Sequence, residues 1–207
     1  MKRLILAICL ILPMLATCNA EKKAMSDQAA KMPEIPAGAE VATFGGGCYW
    51  CIEAALRQVE GVYSATSGFM GGTVKNPTYE RVCQGDTGHA EVVQVVFDPK
   101  KTSYEKLLTW FWKLHDPTTL NRQGGDTGTQ YRSVIFYHSE AQKKSAEAAK
   151  AALTAKYEDP VVTEITKAAE FYPGPGDHQD YYFQNKSNNP YCRIVIEPKL
   201  KKLNLDH

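Results

Sequence analysis

The sequence has almost no excess charge of either sign. Its 24 Lys and Arg are matched by 23 Asp and Glu, a net charge of +1. A nucleic-acid binder usually carries a basic stripe, so this balance argues against one. Internal repeats are absent. The one long apolar run, Leu4 to Leu15, is too short for a typical membrane span. Metal-ligand clusters of recognisable spacing are missing too. Cys48 and Cys51 form a C-x-x-C, but no second C-x-x-C or His pair accompanies it, and Cys83 and His89 are isolated. Zinc is therefore not expected.

Hydrophobic residues make up 43% and charged residues 23% of the 207-residue chain, the proportions of an ordinary globular protein. Met1 to Ala20 reads as a signal peptide. Lys2 and Arg3 supply the positive start and Leu4 to Leu15 the apolar stretch. Cleavage after Ala20 is one reading. The other is a lipoprotein signal, because Leu15-Ala16-Thr17-Cys18 resembles a lipobox, although Thr17 departs from the usual small residue. Either reading predicts export to the periplasm or cell envelope, with a membrane tether if Cys18 is lipidated. Glu21 to Ala39 is polar, alanine-rich and punctuated by Pro33 and Pro36, so it is read as a linker. About 170 residues remain, enough for one domain, 40–207. The domain holds four cysteines, Cys48, Cys51, Cys83 and Cys192. Spacing alone does not give their pairing.

The chain is organised around Gly45 to Glu53, GGGCYWCIE. A short strand-like run, Glu40 to Phe44, precedes it. Ile52 to Val59 follows with apolar residues at helical spacing. Cys48 is thus expected at a strand-to-helix turn. Glycines there permit close approach of another molecule. Free amide groups and the helix dipole favour an anion, so Cys48 is expected to be a thiolate nucleophile of depressed pKa. The plain alternative is a glycine-rich turn around a buried cysteine.

Further strands are expected at 61–69, 91–97, 133–137 and 161–165, and helices at 103–114, 139–156 and 178–185. Ser103 and Ser139 are plausible N-caps. Long glycine-rich loops fill 70–88 and 115–130, and a polar tail follows residue 185. Loops this long in a compact domain are often functional. The alternation suggests an α/β (α+β) fold, a two-layer sandwich with helices packed on a mixed sheet.

Three other stretches carry candidate chemistry. Glu91 opens a valine-rich strand, where partial desolvation raises a carboxyl pKa and suits a general acid. A solvated strand end is an equally good reading of that position. The loop Gly124 to Ser133 presents Asp126 and Tyr131 before a strand. Asp177-His178-Gln179-Asp180-Tyr181 sets His178 and Tyr181 on one helical face.

Taken together, GGGCYWCIE, NPTYERVCQGDTGHAEVV, GGDTGTQYRS, DHQDYY and a late NPYC resemble the A-type peptide-methionine sulfoxide reductases. The likeness covers most of Val41 to Cys192. The family usually has Phe where Tyr49 stands, so the aromatic wall is kept and a hydroxyl added. The resemblance implies a thiol enzyme that reduces methionine S-sulfoxide, free or in proteins, without metal or organic cofactor. It implies Cys48 as nucleophile and Glu91 as the acid that protonates the sulfoxide oxygen. Tyr79 and Tyr131 would hydrogen-bond that oxygen. Tyr49 and Trp50 would line a pocket for the substrate methyl group, and Asp126 would hold its turn and a water. His178, Tyr181 and Tyr191 would stand at or behind the pocket rim. Cys192 would be the resolving thiol, carried on a mobile tail, with Cys51 the alternative. Thioredoxin or an exported thioredoxin-like protein would then open the disulfide.

Two other functions remain open on sequence alone. A general thiol–disulfide oxidoreductase would use Cys48 and Cys51 and need neither Glu91 nor an aromatic pocket. A non-catalytic exported binding module stapled by disulfides would have no reactive cysteine.

Overall fold

The computed structural model describes residues 29–205. The signal peptide with Cys18, and the first part of the linker, lie outside the described residues. The fold is a six-stranded mixed sheet with helices packed on it. The strands are β1 (Glu40–Gly45), β2 (Val62–Met70), β3 (Ala90–Phe97), β6 (Val134–Tyr137), β7 (Glu164–Lys167) and β8 (Tyr172–Pro173). Their order is β7-β6-β1-β3-β2-β8. Only β6 and β7 run parallel; the other neighbours are antiparallel.

β3 sits mid-sheet, and all eight of its residues are buried. Side chains alternate across a strand. Val93, Val95 and Phe97 join the larger core with Ala42 and Phe44 of β1, whereas Ala90 and Val92 join a smaller one with Met70, Val134 and Phe136. Burial on both sides explains the near-continuous valine run. Glu91 shares the parity of Val93 and Val95. It therefore faces the larger core, into which α1 (Tyr49–Leu56) and α3 (Tyr104–Leu114) pack.

α1 is short and apolar nearly all round, with seven of its eight residues buried. It begins at Tyr49 rather than Ile52, so Cys48 becomes its N-cap residue. α3 is capped by the Ser103 hydroxyl, which accepts from the Lys106 N–H at 3.2 Å. It stacks Phe111 on Phe44, ring centroids 5.1 Å apart. α4 (Glu140–Thr154) is capped in the same way by Ser139.

The two long loops hold more structure than composition suggests. Residues 70–88 contain α2 (Tyr79–Cys83), capped by Thr78. His89 ties this stretch down, its ring bonding the Gly72 N–H and the Val74 carbonyl. Residues 115–130 contain a small hairpin, β4 (Arg122–Gln123) with β5 (Asp126–Thr127). The expected strand at 161–165 is displaced to β7, because Val161 is buried and Val162 bonds Pro117 instead.

The largest departure is at the end of the domain. The expected mobile tail is helical: α5 (Tyr181–Asn185), a π-helical turn Cys192–Ile196, then α6 (Glu197–Lys202). Cys192, Ile196 and Leu200 are all fully buried, four residues apart. That is an apolar stripe of helical period, masked in the sequence by the lysines around it. At the far edge, Ala30 donates to the Gly174 carbonyl at 2.9 Å, so the described end of the linker touches the loop after β8.

Candidate active site

Five stretches converge on Cys48: the turn from β1 into α1, α2, the start of β3, the loop with its hairpin that precedes β6, and the residues just before the π-helical turn Cys192–Ile196. The glycines of the turn admit protein neighbours, not only an outside molecule. A Cβ on Gly45 would lie 2.7 Å from the Glu91 carbonyl oxygen, and one on Gly46 would lie 3.0 Å from the His115 ring. Contacts that close are essentially closed to a side chain, so β1 and β3 approach only because residue 45 is glycine.

That approach brings the Glu91 carboxylate under the helix start. Its Oε2 accepts the Tyr49 N–H at 3.1 Å. The anion-favouring end of α1 is thus occupied by Glu91 and not by the Cys48 sulfur, which makes no capping bond. Glu91 is 1% exposed. Burial raises its pKa to about 8 against the opposing Tyr49 bond, with Asp126 and Cys51 adding like charge. Of the two readings of this position, desolvation holds.

The depressed pKa expected of Cys48 is not found. Burial pushes its thiol well up, and a bond to Cys51 and the charge of Glu91 push the same way. Cys51 takes the charge instead. The Cys48 bond, opposed by burial and aided by the Lys199 ammonium, brings Cys51 down to about 7. Lys199 Nζ stands 3.7 Å from Cys51 Sγ. Of the two thiols, the inner one is therefore the more readily ionised.

A cavity of about 200 Å³ opens above Cys48. It is lined by Cys48, Tyr49, Trp50, Tyr79, Glu91, Asp126, Tyr131 and Tyr191. Eight residues spread over 144 positions of sequence, from 48 to 191, thus meet at one small hollow. Burial holds the Tyr79, Tyr131 and Tyr191 phenols above their ordinary pKa, so all three remain hydrogen-bond donors at neutral pH. Tyr191 donates to Asp126 Oδ2 at 2.7 Å and also reaches the sulfurs of Cys48 and Cys51.

His178 and Tyr181 stand behind this lining. The added hydroxyl of Tyr49 pairs with His178 Nδ1 at 2.6 Å. Burial lowers the His178 pKa, so the ring is neutral. Tyr181 stacks on Trp50 with centroids 3.7 Å apart and planes 6° from parallel. Cys51 lies beneath Cys48. Cys192 is fully buried in the π-helical turn, outside the lining, and the charge acting on it is that of Cys51. The picture of a thiol on a free arm is therefore replaced by one buried in the same core as Cys51 and within reach of its charge. Cys83 is exposed on α2, where its thiol meets the Tyr79 phenol. Among the described residues no group of three or more His, Cys, Asp or Glu is arranged to hold a metal.

Three supporting residues escaped the sequence reading. Glu53, 1% exposed on α1, accepts the Asp180 N–H at 2.8 Å. Gln179 bonds Ser67 through both its amide atoms, at 2.9 and 3.0 Å, and so acts as a strand residue at the edge of β2. Lys199 is the third. A charged residue inside an apolar helix was a readable signal for Glu53. Nothing local signalled Gln179 or Lys199, whose partners lie 112 and 148 residues away.

Comparison with known proteins places the chain in a family. Residues 40–207 match the family model described as peptide methionine sulfoxide reductase. The chain is 54% identical over 163 residues to "Peptide methionine sulfoxide reductase MsrA" of Sulfolobus acidocaldarius, covering 79% of this chain and 92% of the relative. Among solved structures it resembles Mxr1 from Saccharomyces cerevisiae in reduced form, with TM-score 0.73, 33% identity, and 79% and 95% of the two chains covered. It also resembles Mxr1 in complex with Trx2, with TM-score 0.53, 25% identity, and 75% and 94% covered. The chain belongs to the peptide methionine sulfoxide reductase family, and its activity is the thiol-dependent reduction of methionine sulfoxide.

Proposed function

We propose that this enzyme reduces the S epimer of methionine sulfoxide, free and in proteins, at Cys48. The observation that carries this reading is a buried carboxyl, its pKa raised by burial, sharing one small cavity with a thiol and three phenols. A sulfoxide sulfur is electrophilic only when its oxygen is protonated or strongly hydrogen-bonded, so the acid and the phenols belong beside the thiol. Tyr79 and Tyr131 bind the oxygen, and Tyr49 and Trp50 form the apolar wall for the methyl group. Asp126 fixes Tyr191 over the two sulfurs, while His178 and Tyr181 hold the aromatic wall from behind.

The protons balance. Cys48 passes its proton to the Cys51 thiolate and attacks the sulfoxide sulfur, while Glu91 protonates the oxygen. The S–O bond of the substrate breaks, methionine leaves, and Cys48 becomes a sulfenic acid. Cys51 gives its proton to Glu91 and attacks the Cys48 sulfur. Glu91 returns that proton to the departing oxygen, which leaves as water. The two protons of water thus come from Cys48 and Glu91. A dithiol protein then reduces the disulfide and restores both protons. A thioredoxin-type reductant is supported by the Mxr1 complex with Trx2.

This order gives the first disulfide to Cys51, which already touches Cys48. Cys192, buried in the same core, takes the bond over in a second exchange: its sulfur attacks Cys51 Sγ, the Cys48–Cys51 bond breaks, and Cys48 leaves as the thiol with the proton Cys192 gives up. The test is turnover of each epimer of a methyl sulfoxide, in wild type, Cys51→Ser and Cys192→Ser. The S epimer alone should turn over. Cys192→Ser should form a Cys48–Cys51 disulfide, and Cys51→Ser should accumulate sulfenic acid. Equal turnover of both epimers, or a direct Cys48–Cys192 bond in wild type with Cys51→Ser unaffected, would overturn this scheme. A general thiol–disulfide oxidoreductase would leave both epimers untouched.

The signal peptide at 1–20 supports export, with a lipid tether if Cys18 is modified. The Glu21 to Ala39 stretch then spaces the enzyme from its anchor or cleavage site. Fractionation of cells should recover a shortened or lipidated protein outside the cytoplasm. Full-length chain in the cytoplasmic fraction would reverse this assignment.

A further inference from the structure

Lys199 has an unusual partner. It is half-buried on α6, where Leu200 and the preceding Ile196 are fully buried and fix the helix against the core. Among the described residues it forms no ion pair with a carboxylate. Its ammonium donates instead to Cys51 Sγ at 3.7 Å, across 148 residues of sequence. The neighbouring Lys201 is exposed and pairs with Glu197, as surface lysines do.

We propose that Lys199 is a catalytic residue of the resolving step, holding Cys51 as the thiolate that closes the disulfide on Cys48. This rests on the scheme above, in which Cys51 attacks the sulfenic sulfur. The bond formed is Sγ51–Sγ48 and the bond broken is Sγ48–O, with oxygen leaving as water. No external oxidant or reductant enters this step. The cation acts on the attacking sulfur before and during attack, when its negative charge is greatest.

The other groups facing Cys51 do not replace this charge. Cys48 and Tyr191 give hydrogen bonds and lower its pKa, whereas burial and the Asp126 carboxylate raise it. Cys192 and Glu91 are pushed up first by burial and then also by the Cys51 charge, and hold no positive charge to offset it. His115 also lies in the field of Lys199. Burial first, and that field with it, bring its pKa to about 4, so it is neutral at working pH. Lys199 is the cation of this cluster.

Cys48 is kept protonated mainly by burial and by its bond to Cys51, and the Lys199 contact favours charge on Cys51 rather than on Cys48. An idle Cys48 is then protected from oxidants that attack thiolates.

The experiment compares wild type with Lys199→Met, which keeps the stem, and Lys199→Arg, which keeps the charge. Lys199→Gln is a second neutral variant should the Met variant fold poorly. Thiolate absorbance, assigned by difference from Cys51→Ser, should show the Cys51 midpoint rising by at least one pH unit in the neutral variants and returning in Lys199→Arg. At pH 7 a one-unit rise from about 7 cuts the thiolate fraction about fivefold, and disulfide closure should slow by about the same factor. Sulfenic acid should accumulate, while the single-turnover yield of methionine stays at one equivalent. An unmoved midpoint in the neutral variants overturns the proposal, as does disulfide closure at the wild-type rate. A wild type that forms no methionine at all would sink the reductase reading, yet the midpoint would still decide the role of Lys199.

Discussion

Cys48→Ser forms no methionine from methionine sulfoxide, even with excess dithiothreitol. Serine keeps the size and the hydrogen-bonding capacity of the site. Its hydroxyl, however, is not ionised near neutral pH and cannot donate an electron pair to a sulfoxide sulfur as a thiolate does. Cys51 does not take over. It is 3% exposed and absent from the cavity wall. The variant should still bind substrate, because Tyr49, Trp50, Tyr79 and Tyr131 are untouched. The measurement is single-turnover methionine release beside equilibrium binding of a sulfoxide. Release within tenfold of wild type would move the nucleophile elsewhere.

Glu91→Gln should slow the reductase step by roughly two to four orders of magnitude, the range for a positioned proton donor. The amide can still accept the Tyr49 N–H, so the helix start is preserved, but it has no proton to give. Wild-type rate should rise as the thiol pair loses its first proton near pH 7 and fall as Glu91 ionises near pH 8. The variant should lose the alkaline fall. Its stability should move the opposite way to its rate. The folded pKa of Glu91 is raised from 4.5 to about 8. Its contribution to stability is therefore complete below pH 4.5 and is lost as pH rises through about 8. Glutamine loses nothing over that interval, so the variant should melt above wild type at alkaline pH. Unchanged single-turnover rate with weakened binding would make Glu91 a binding residue only.

Much of this site was legible in the sequence because its parts are local motifs. Three glycines before a cysteine placed the turn, and the valine run placed Glu91. Tyr79 and Tyr131 came in through the resemblance, and the fold brings them to the same hollow. The misreadings have separate causes. The state of Cys48 depends first on its burial, then on its bond to Cys51 and on Glu91, which a strand 42 residues on brings to the free amide of Tyr49. The tail was misjudged because composition weighed lysines and asparagines over the period of Cys192, Ile196 and Leu200. Lys199 and Gln179 act through pairings that no local window contains.

The bonds made by Gln179 and Glu53 bear on how a large substrate enters. They tie residues 176–185 to the sheet edge and to α1. The Trp50–Tyr181 side of the cavity is therefore fastened to both β2 and α1. The opposite side, carrying Tyr79 and Asp126, rests on a five-residue helix and a hairpin of two-residue strands. Short elements of this kind fray locally at little cost. An oxidised methionine within a folded protein thus meets one rigid jaw and one yielding jaw. The residues flanking it in its own chain are accommodated on the yielding side, so reach into partly folded targets is set by α2 and the β4–β5 hairpin.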